Sequence, residues 1–238
     1  MQWDHERLSR LQASLHPVRR RAWELAARHA EVDVVHLAAA LLEQRGVQDA
    51  LRALELDLDE VSGVVLGTLD EQRKKPWWRF GAADESAALE DVYTHLLQGT
   101  YFAELDSVRP TAAFIALLAH ASSTLVVERL EAIGVEPLPL RLYDAHGLAR
   151  DEPLPEGTGS VRVVLHDDPY TPMELVVEIL VDCFELDPTS AHDTMMTVHR
   201  RGRTTLPFAR WSEGKRRAEN ARARAREQHY PLRLTLER

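Results

Sequence analysis

Ser160-Val161-Arg162-Val163-Val164-Leu165-His166-Asp167-Asp168-Pro169-Tyr170-Thr171-Pro172-Met173-Glu174 changes its backbone preference twice in a short space. Val161 to Leu165 is β-branched and alternates at its start, which predicts a strand. His166 to Tyr170 is rich in turn formers. Thr171, Pro172 and Glu174 then open a helix: the threonine suits the cap, the proline the first helical position, the glutamate the capping box. Asp187-Pro188 starts a second helix by the same logic, running through Met195 to about His199 and stopped by Gly202. Arg203 to Leu206 reads as a second strand, Ser212 to about Gln228 as a third helix, and Pro231 to Glu237 as a final alternating strand. The order predicts a small α/β sandwich with a three-stranded antiparallel sheet over 160–238.

Upstream the pattern is different. From Leu8 to Tyr143 apolar residues return at helical spacing: Ala22, Leu25, Ala26 and His29 form one stripe, Leu37, Leu41 and Leu42 a second, and Leu51 and Leu54 open a third. A helix bundle buries so many narrow stripes most simply. Val34 to Leu42 is echoed by Thr111 to Leu118, and Leu51 to Leu56 by Val127 to Val135, so two tandem copies of one helical unit are expected. Between them Pro76 and Gly81 break the pattern around Trp77-Trp78, a pair that suits either the seam between the copies or an exposed anchor for a partner. Residues 144–159 are rich in Gly, Pro and charge without periodicity and read as a linker. The expected fold class is therefore α+β and multidomain: an all-α double repeat over 1–143, a linker over 144–159, and the α/β sandwich over 160–238.

Composition bounds the function. The 238 residues carry 29 Lys+Arg against 38 Asp+Glu, a net charge of −9 that disfavours a dedicated nucleic-acid binder. The charge is split: residues 1–159 hold 16 basic and 26 acidic side chains, residues 160–238 hold 13 and 12. Cys183 is the single cysteine, so neither an internal disulfide nor a multi-cysteine zinc site is available. The acidic N-terminus lacks an apolar h-region and the longest apolar run, Ala112 to Ala119, is short of a membrane span, which predicts a soluble, cytoplasmic protein with no membrane partner.

No catalytic pattern is present. Gly214-Lys215 lacks the upstream glycine of a P-loop and is followed by Arg216; no dinucleotide fingerprint, zinc-protease helix or cysteine pair occurs. No metal, no cofactor and no enzyme activity are expected. What stands out is the loop after the first strand of the sandwich. Asp167 and Asp168 either cap the following helix or face a small cation such as a peptide α-ammonium group. Met173 and Val176-Val177 share one helix face, and Met195 and His199 share another. Methionines there fit a core, or a hollow for a bulky apolar side chain beside an amino group. The run Lys215-Arg216-Arg217, Arg222, Arg224 and Arg226 reads as a solvated face or as a contact for an acidic protein surface, the acidic N-terminal half included; without interleaved aromatics it suits nucleic acid poorly.

Val163-Val164-Leu165-His166-Asp167-Asp168-Pro169-Tyr170-Thr171-Pro172-Met173-Glu174 resembles the signature of the ClpS adaptor family. Met195-Met196-Thr197-Val198-His199, Gly202, Glu213 with Lys215, His229 with Pro231-Leu232, and Leu234-Thr235-Leu236-Glu237 keep that family's order. The first 143 residues resemble the double-repeat N-terminal domain of Clp-type AAA+ unfoldases, with His36-Leu37 at a helix start and Asp144-Ala145-His146-Gly147 at the end. The resemblance implies an adaptor that captures substrates with N-terminal Phe, Tyr, Trp or Leu (N-degrons) and delivers them to a ClpA- or ClpC-like AAA+ unfoldase.

By the same resemblance, Asp167, Asp168 and His199 would hold the α-ammonium. Thr171, Met173, Val176, Met195, Val198 and Leu232 would line the side-chain pocket, with Met173 gating it against β-branched residues. Glu213 and Lys215 would contact the unfoldase or the chain's own N-terminal domain. Asp167 stands where the family has Asn, Pro169 where it has a second acid, and Arg210 where it has an acid on the unfoldase-binding face. A tether of about 15 residues would make even a weak contact between the two domains intramolecular. The alternative is a non-catalytic scaffold that binds Clp subunits or other proteins through the helical half, without degron recognition.

Overall fold

A computed structural model describes residues 4–72, 74, 84–102 and 105–238. The chain divides into two compact units, Met1–Leu140 and Arg141–Arg238. Trp77 and Trp78 lie outside the described residues.

The first unit is built from helices α1 (His5–Leu25), α2 (Val34–Leu42), α3 (Arg45–Ala53), α4 (Leu58–Asp70), α5 (Ala87–Phe102), α6 (Pro110–His120), α7 (Leu125–Ala132) and the start of α8 (Pro137–His146). Among the described residues these form two successive groups of four, as the internal echo predicts. In each group the second helix is the apolar one. Val34 to Leu41 of α2 are all buried, as are Thr111 and Ala113 to Leu118 of α6, and the two helices pack against each other. The third helix of each group ends in the same turn: Leu56 N–H donates to Leu51 O and Val135 N–H to Leu130 O, with Glu55 (φ 60°) and Gly134 (φ 85°) in the left-handed region. Glycine adopts this conformation without strain and glutamate does not, so the second copy of the turn is the relaxed one.

The copies are tied by two short strands, β1 (Glu31–Val32) and β2 (Asp84–Glu85), which pair in parallel. Glu85 accepts from Arg19 at 2.6 and 2.8 Å and from the Trp23 indole at 2.9 Å. The stripe expected to run through His29 stops short. Helix α1 ends at Leu25, and His29 follows a single tight turn to meet His36 at 2.8 Å (Nδ1 to Nε2). His36 is wholly buried and its Nδ1 accepts from Asp33 N–H at 3.0 Å, so its proton sits on Nε2 and is donated to His29. Burial, reinforced by His29, pushes the His36 pKa down to about 4.

The second unit contains β3 (Val161–His166), α9 (Met173–Phe184), α10 (Pro188–Arg201), β4 (Arg203–Phe208), α11 (Trp211–Glu227) and β5 (Leu234–Glu237). Its sheet has the order β4-β3-β5, antiparallel throughout, with Val161 opposite Phe208, His166 opposite Arg203 and Leu165 opposite Leu234. Asp187 caps α10 by accepting from Thr189 and Ser190 N–H, and Gly202 at φ 77° ends it. Helix α11 lies on the sheet through Ala218, Ala221 and Ala225, none of them exposed. Gly214 sets the approach: a Cβ there would come within 2.5 Å of Val161 Cγ1.

Two expectations change. Residues 151–157, inside the stretch read as a linker, are fastened to the second unit. Leu154 enters its core, the Trp211 indole donates to Pro155 O at 3.0 Å, and Gly157 lies flat on the Trp211 ring. The arginines of α11 are not a free basic face either. Arg217 meets Glu185 (2.9 Å), Glu213 (3.2 Å) and Cys183 O (3.0 Å), and Arg226 takes both oxygens of Asp151 at 2.7 Å. Arg222 donates to Glu152 O at 2.6 Å and Leu234 O at 3.1 Å, and Arg224 pairs with Asp182. Their acidic partners lie in their own unit. Among the described residues no single helix is long and apolar enough to cross a membrane.

Two outcomes follow from this packing. The folded chain resists protonating His36, whereas the unfolded chain takes up the proton near the ordinary pKa of 6.5. The helical unit therefore keeps its full stability above that value and loses up to about 3 kcal/mol as pH falls toward 4, a dependence that His36→Gln flattens in thermal unfolding. Gly214→Ala drives a methyl group into Val161 and costs about 1–3 kcal/mol, read as a lower urea midpoint.

Candidate functional site

The loop 167–172 leaves β3 with both ends of its first residue pair anchored. His166 N–H donates to Arg233 O at 3.0 Å and Asp167 N–H to Gly202 O at 2.9 Å, which ties the loop to the chain before β5 and to the end of α10. The Asp167 carboxylate consequently faces His199, Oδ1 to Nδ1 at 3.8 Å, beyond hydrogen-bond range. The two side chains are 38% and 20% exposed. Partial burial, aided by the neighbouring Asp168, raises the Asp167 pKa, while His199 opposes the rise. An anion held under these conditions gains from any cation that reaches it.

Asp168 has the opposite character. Its Oδ1 accepts from Tyr170 N–H (2.9 Å) and Thr171 N–H (2.7 Å), and its Oδ2 from the Thr171 hydroxyl (2.8 Å). This corrects the expected capping box. Thr171 gives its hydroxyl to a charged acceptor instead of the helix, and α9 begins at Met173 with Pro172 in the cap position and no side-chain cap. Glu174 remains in the first turn, where the helix dipole favours it.

Behind the loop the apolar residues converge. Val176, Met195, Val198 and Leu232 belong to one core cluster and are between 2% and 8% exposed, with Met173 partly buried against the same cluster. Thr171 is half-buried. Met195, Val198 and His199 share one face of α10, so the imidazole stands at the end of the apolar group that Met195 begins. Glu213 and Lys215 lie instead on the first turns of α11 in local ion pairs. Glu213 pairs with Arg217 and faces Arg210 at 3.7 Å, and Lys215 pairs with Glu156 and faces Glu219 at 3.7 Å. Among the described residues no group of three or more His, Cys, Asp or Glu side chains could hold a metal ion.

A set of residues that sequence reading missed borders the loop. The Tyr170 hydroxyl donates to Asp144, and Arg141 stands over the rings of Tyr170 (5.9 Å) and Tyr230 (5.5 Å) and donates to His229 O at 2.8 Å. His146 Nε2 lies 3.2 Å from Pro231 O. These partners are far apart in sequence, and no local spacing announces them.

This strand, loop and helix start, with two carboxylates ahead of an apolar group, belong to a small α/β domain with a three-stranded antiparallel sheet. Residues 157–235 match the family of the ATP-dependent Clp protease adaptor protein ClpS. The ATP-dependent Clp protease adapter protein ClpS of Nitratidesulfovibrio vulgaris is 41% identical over 76 residues, which cover 32% of this chain and 76% of that one. The chain belongs to the ClpS family of Clp protease adaptors. Among solved structures, Agrobacterium tumefaciens ClpS2 bound to L-phenylalaninamide is similar over 33% of this chain and 95% of its own, at 29% identity and a TM-score of 0.32. The Hsp104 N-terminal domain of Candida albicans is similar over 52% of this chain and 81% of its own, at 15% identity and a TM-score of 0.46.

Asp168→Ala removes three hydrogen bonds from the loop and is expected to cost about 2 kcal/mol in urea unfolding, with Tyr170 and Thr171 amides gaining hydrogen exchange.

Proposed function

We propose that this chain is an adaptor that captures proteins with bulky hydrophobic N-terminal residues and hands them to a Clp AAA+ unfoldase. The observation that carries the reading is the exposed Asp167 carboxylate, 3.8 Å from His199, at the edge of the apolar group of Met173, Val176, Met195, Val198 and Leu232. An α-ammonium placed against Asp167 and His199 supplies a charge-assisted hydrogen bond to this carboxylate, and its side chain then points at the methionines. Asp168, already committed to Tyr170 and Thr171, holds the loop in place. The ligand of the Agrobacterium relative, L-phenylalaninamide, combines a free α-amino group with a benzyl side chain.

In this reading Met173 covers the apolar group and must move for a side chain to enter, which disfavours β-branched residues. The helical half, residues 1–143, serves as an unfoldase N-domain-like module in the same chain as the adaptor domain at 160–238, and Glu213 and Lys215 mark the face for a ClpA- or ClpC-like partner or for that module. The chain works by binding and carries no catalytic step. A scaffold without degron recognition is the second reading, favoured by how little of Val176, Met195, Val198 and Leu232 reaches the surface.

Fluorescence anisotropy with labelled peptides separates the two. Peptides beginning with Phe or Leu should bind at least about tenfold more tightly than N-acetylated or Ile-initial versions, and Asp167→Ala should erase the preference. Affinity should also fall on acidification, because a protonated Asp167 loses its attraction for the ammonium and its pKa is raised. Equal binding of all peptides, or of none, supports the scaffold.

A further inference from the structure

The segment 141–146 precedes the family match at 157–235, yet Arg141, Asp144 and His146 reach the borders of the candidate site. On one side Asp144 accepts from the Tyr170 hydroxyl, in the loop that carries Asp168 and Thr171. On the other, Arg141 donates to His229 O at 2.8 Å, and His146 lies 3.2 Å from Pro231 O, next to Leu232. Arg141 bridges the two, with its guanidinium over both the Tyr170 and Tyr230 rings. Both Arg141 and His146 also act electrostatically on Asp168.

The arrangement is costly to hold. Arg141 Nε is buried without a hydrogen-bond partner. His229, at φ 60°, closes α11 in the same turn as Glu55, with Tyr230 N–H donating to Ala225 O, and four consecutive carbonyls then fix the chain beyond it. His229 O accepts from Arg141, Tyr230 O and Leu232 O accept from Arg226, and Pro231 O lies within reach of His146. We propose that Arg141, Asp144 and His146 are positioning residues of the N-degron site, acting through Tyr170 on the loop and through residues 229–231 on Leu232. This rests on the adaptor reading above. It adds that the binding site of this chain extends beyond the segment that defines its family, and that Asp168, held by Tyr170 and Thr171, leaves Asp167 as the carboxylate that meets the incoming ammonium.

The test is a double-mutant cycle on the full chain, titrating a fluorescent Phe-initial peptide and its N-acetylated control, with the thermal midpoint measured for each variant. Tyr170→Phe keeps the ring that Arg141 covers and removes only the hydroxyl, and Asp144→Asn removes the charge that receives it. Each single variant should weaken the Phe-initial peptide by about fivefold, and the double variant should be no weaker than the worse single, because both break one contact. Arg141→Gln, which touches both borders, should weaken it further. Affinities within about twofold of the wild type in Tyr170→Phe and Asp144→Asn, whatever their midpoints, would overturn the proposal, as would losses that multiply in the double variant. A wild-type chain with no preference for the free amino terminus would instead sink the adaptor reading, and this inference with it.

Discussion

An arginine cannot shed its charge, and once its guanidinium is enclosed the chain around it must present acceptors at fixed places. Helix α11 imposes this demand at Arg217, Arg222 and Arg226. Arg217 sits over the Phe208 ring and draws in the C-terminal end of α9 through Cys183 O and Glu185. Arg222 locates the start of β5 through Leu234 O. Arg226 gathers residues 230–232 from one side and Asp151 from the other. The end of α9, the start of β5 and the chain before it, which carries Leu232, are held by these three side chains. Small residues on the face between Arg217 and Arg222, Gly214, Ala218, Ala221 and Ala225, let the helix come close enough to do it.

What could be read from the sequence was what local physics decides. The strand over 161–165, the Asp187 cap and the Gly202 stop depend on residues within a few positions of each other, and all appear where spacing places them. The echo of Val34 to Leu42 in Thr111 to Leu118 was legible because both helices are buried on every side, so their apolar runs are unbroken. The capping box at Thr171 failed because Asp168, three residues earlier, offers a charged acceptor that a propensity rule does not weigh. The α11 arginines were read as surface because periodicity records where a side chain points, not what meets it there. Their partners, from Asp151 to Leu234, are brought together only by the fold.

The same limit applies at the candidate site. Asp167, His199 and the methionines were singled out as candidates from residue type and helical spacing. The division of labour between Asp167 and Asp168 was not, because it depends on which carboxylate the backbone of Tyr170 and Thr171 consumes. Residues 141–146 signalled only the end of the helical half and the start of a linker, because their partners lie far along the chain.

The strap at 151–157 bears on how such a domain can be inherited. Asp151, Glu152 and Glu156 are the counter-charges of Arg226, Arg233 and Lys215, and Pro155 O receives the Trp211 indole. A gene fusion joining another protein directly at residue 157 would transplant these cations and the indole without the groups that satisfy them. Recombination that preserves the fold must cut further upstream, so the smallest portion of this chain that evolution can move intact is longer than the family match at 157–235.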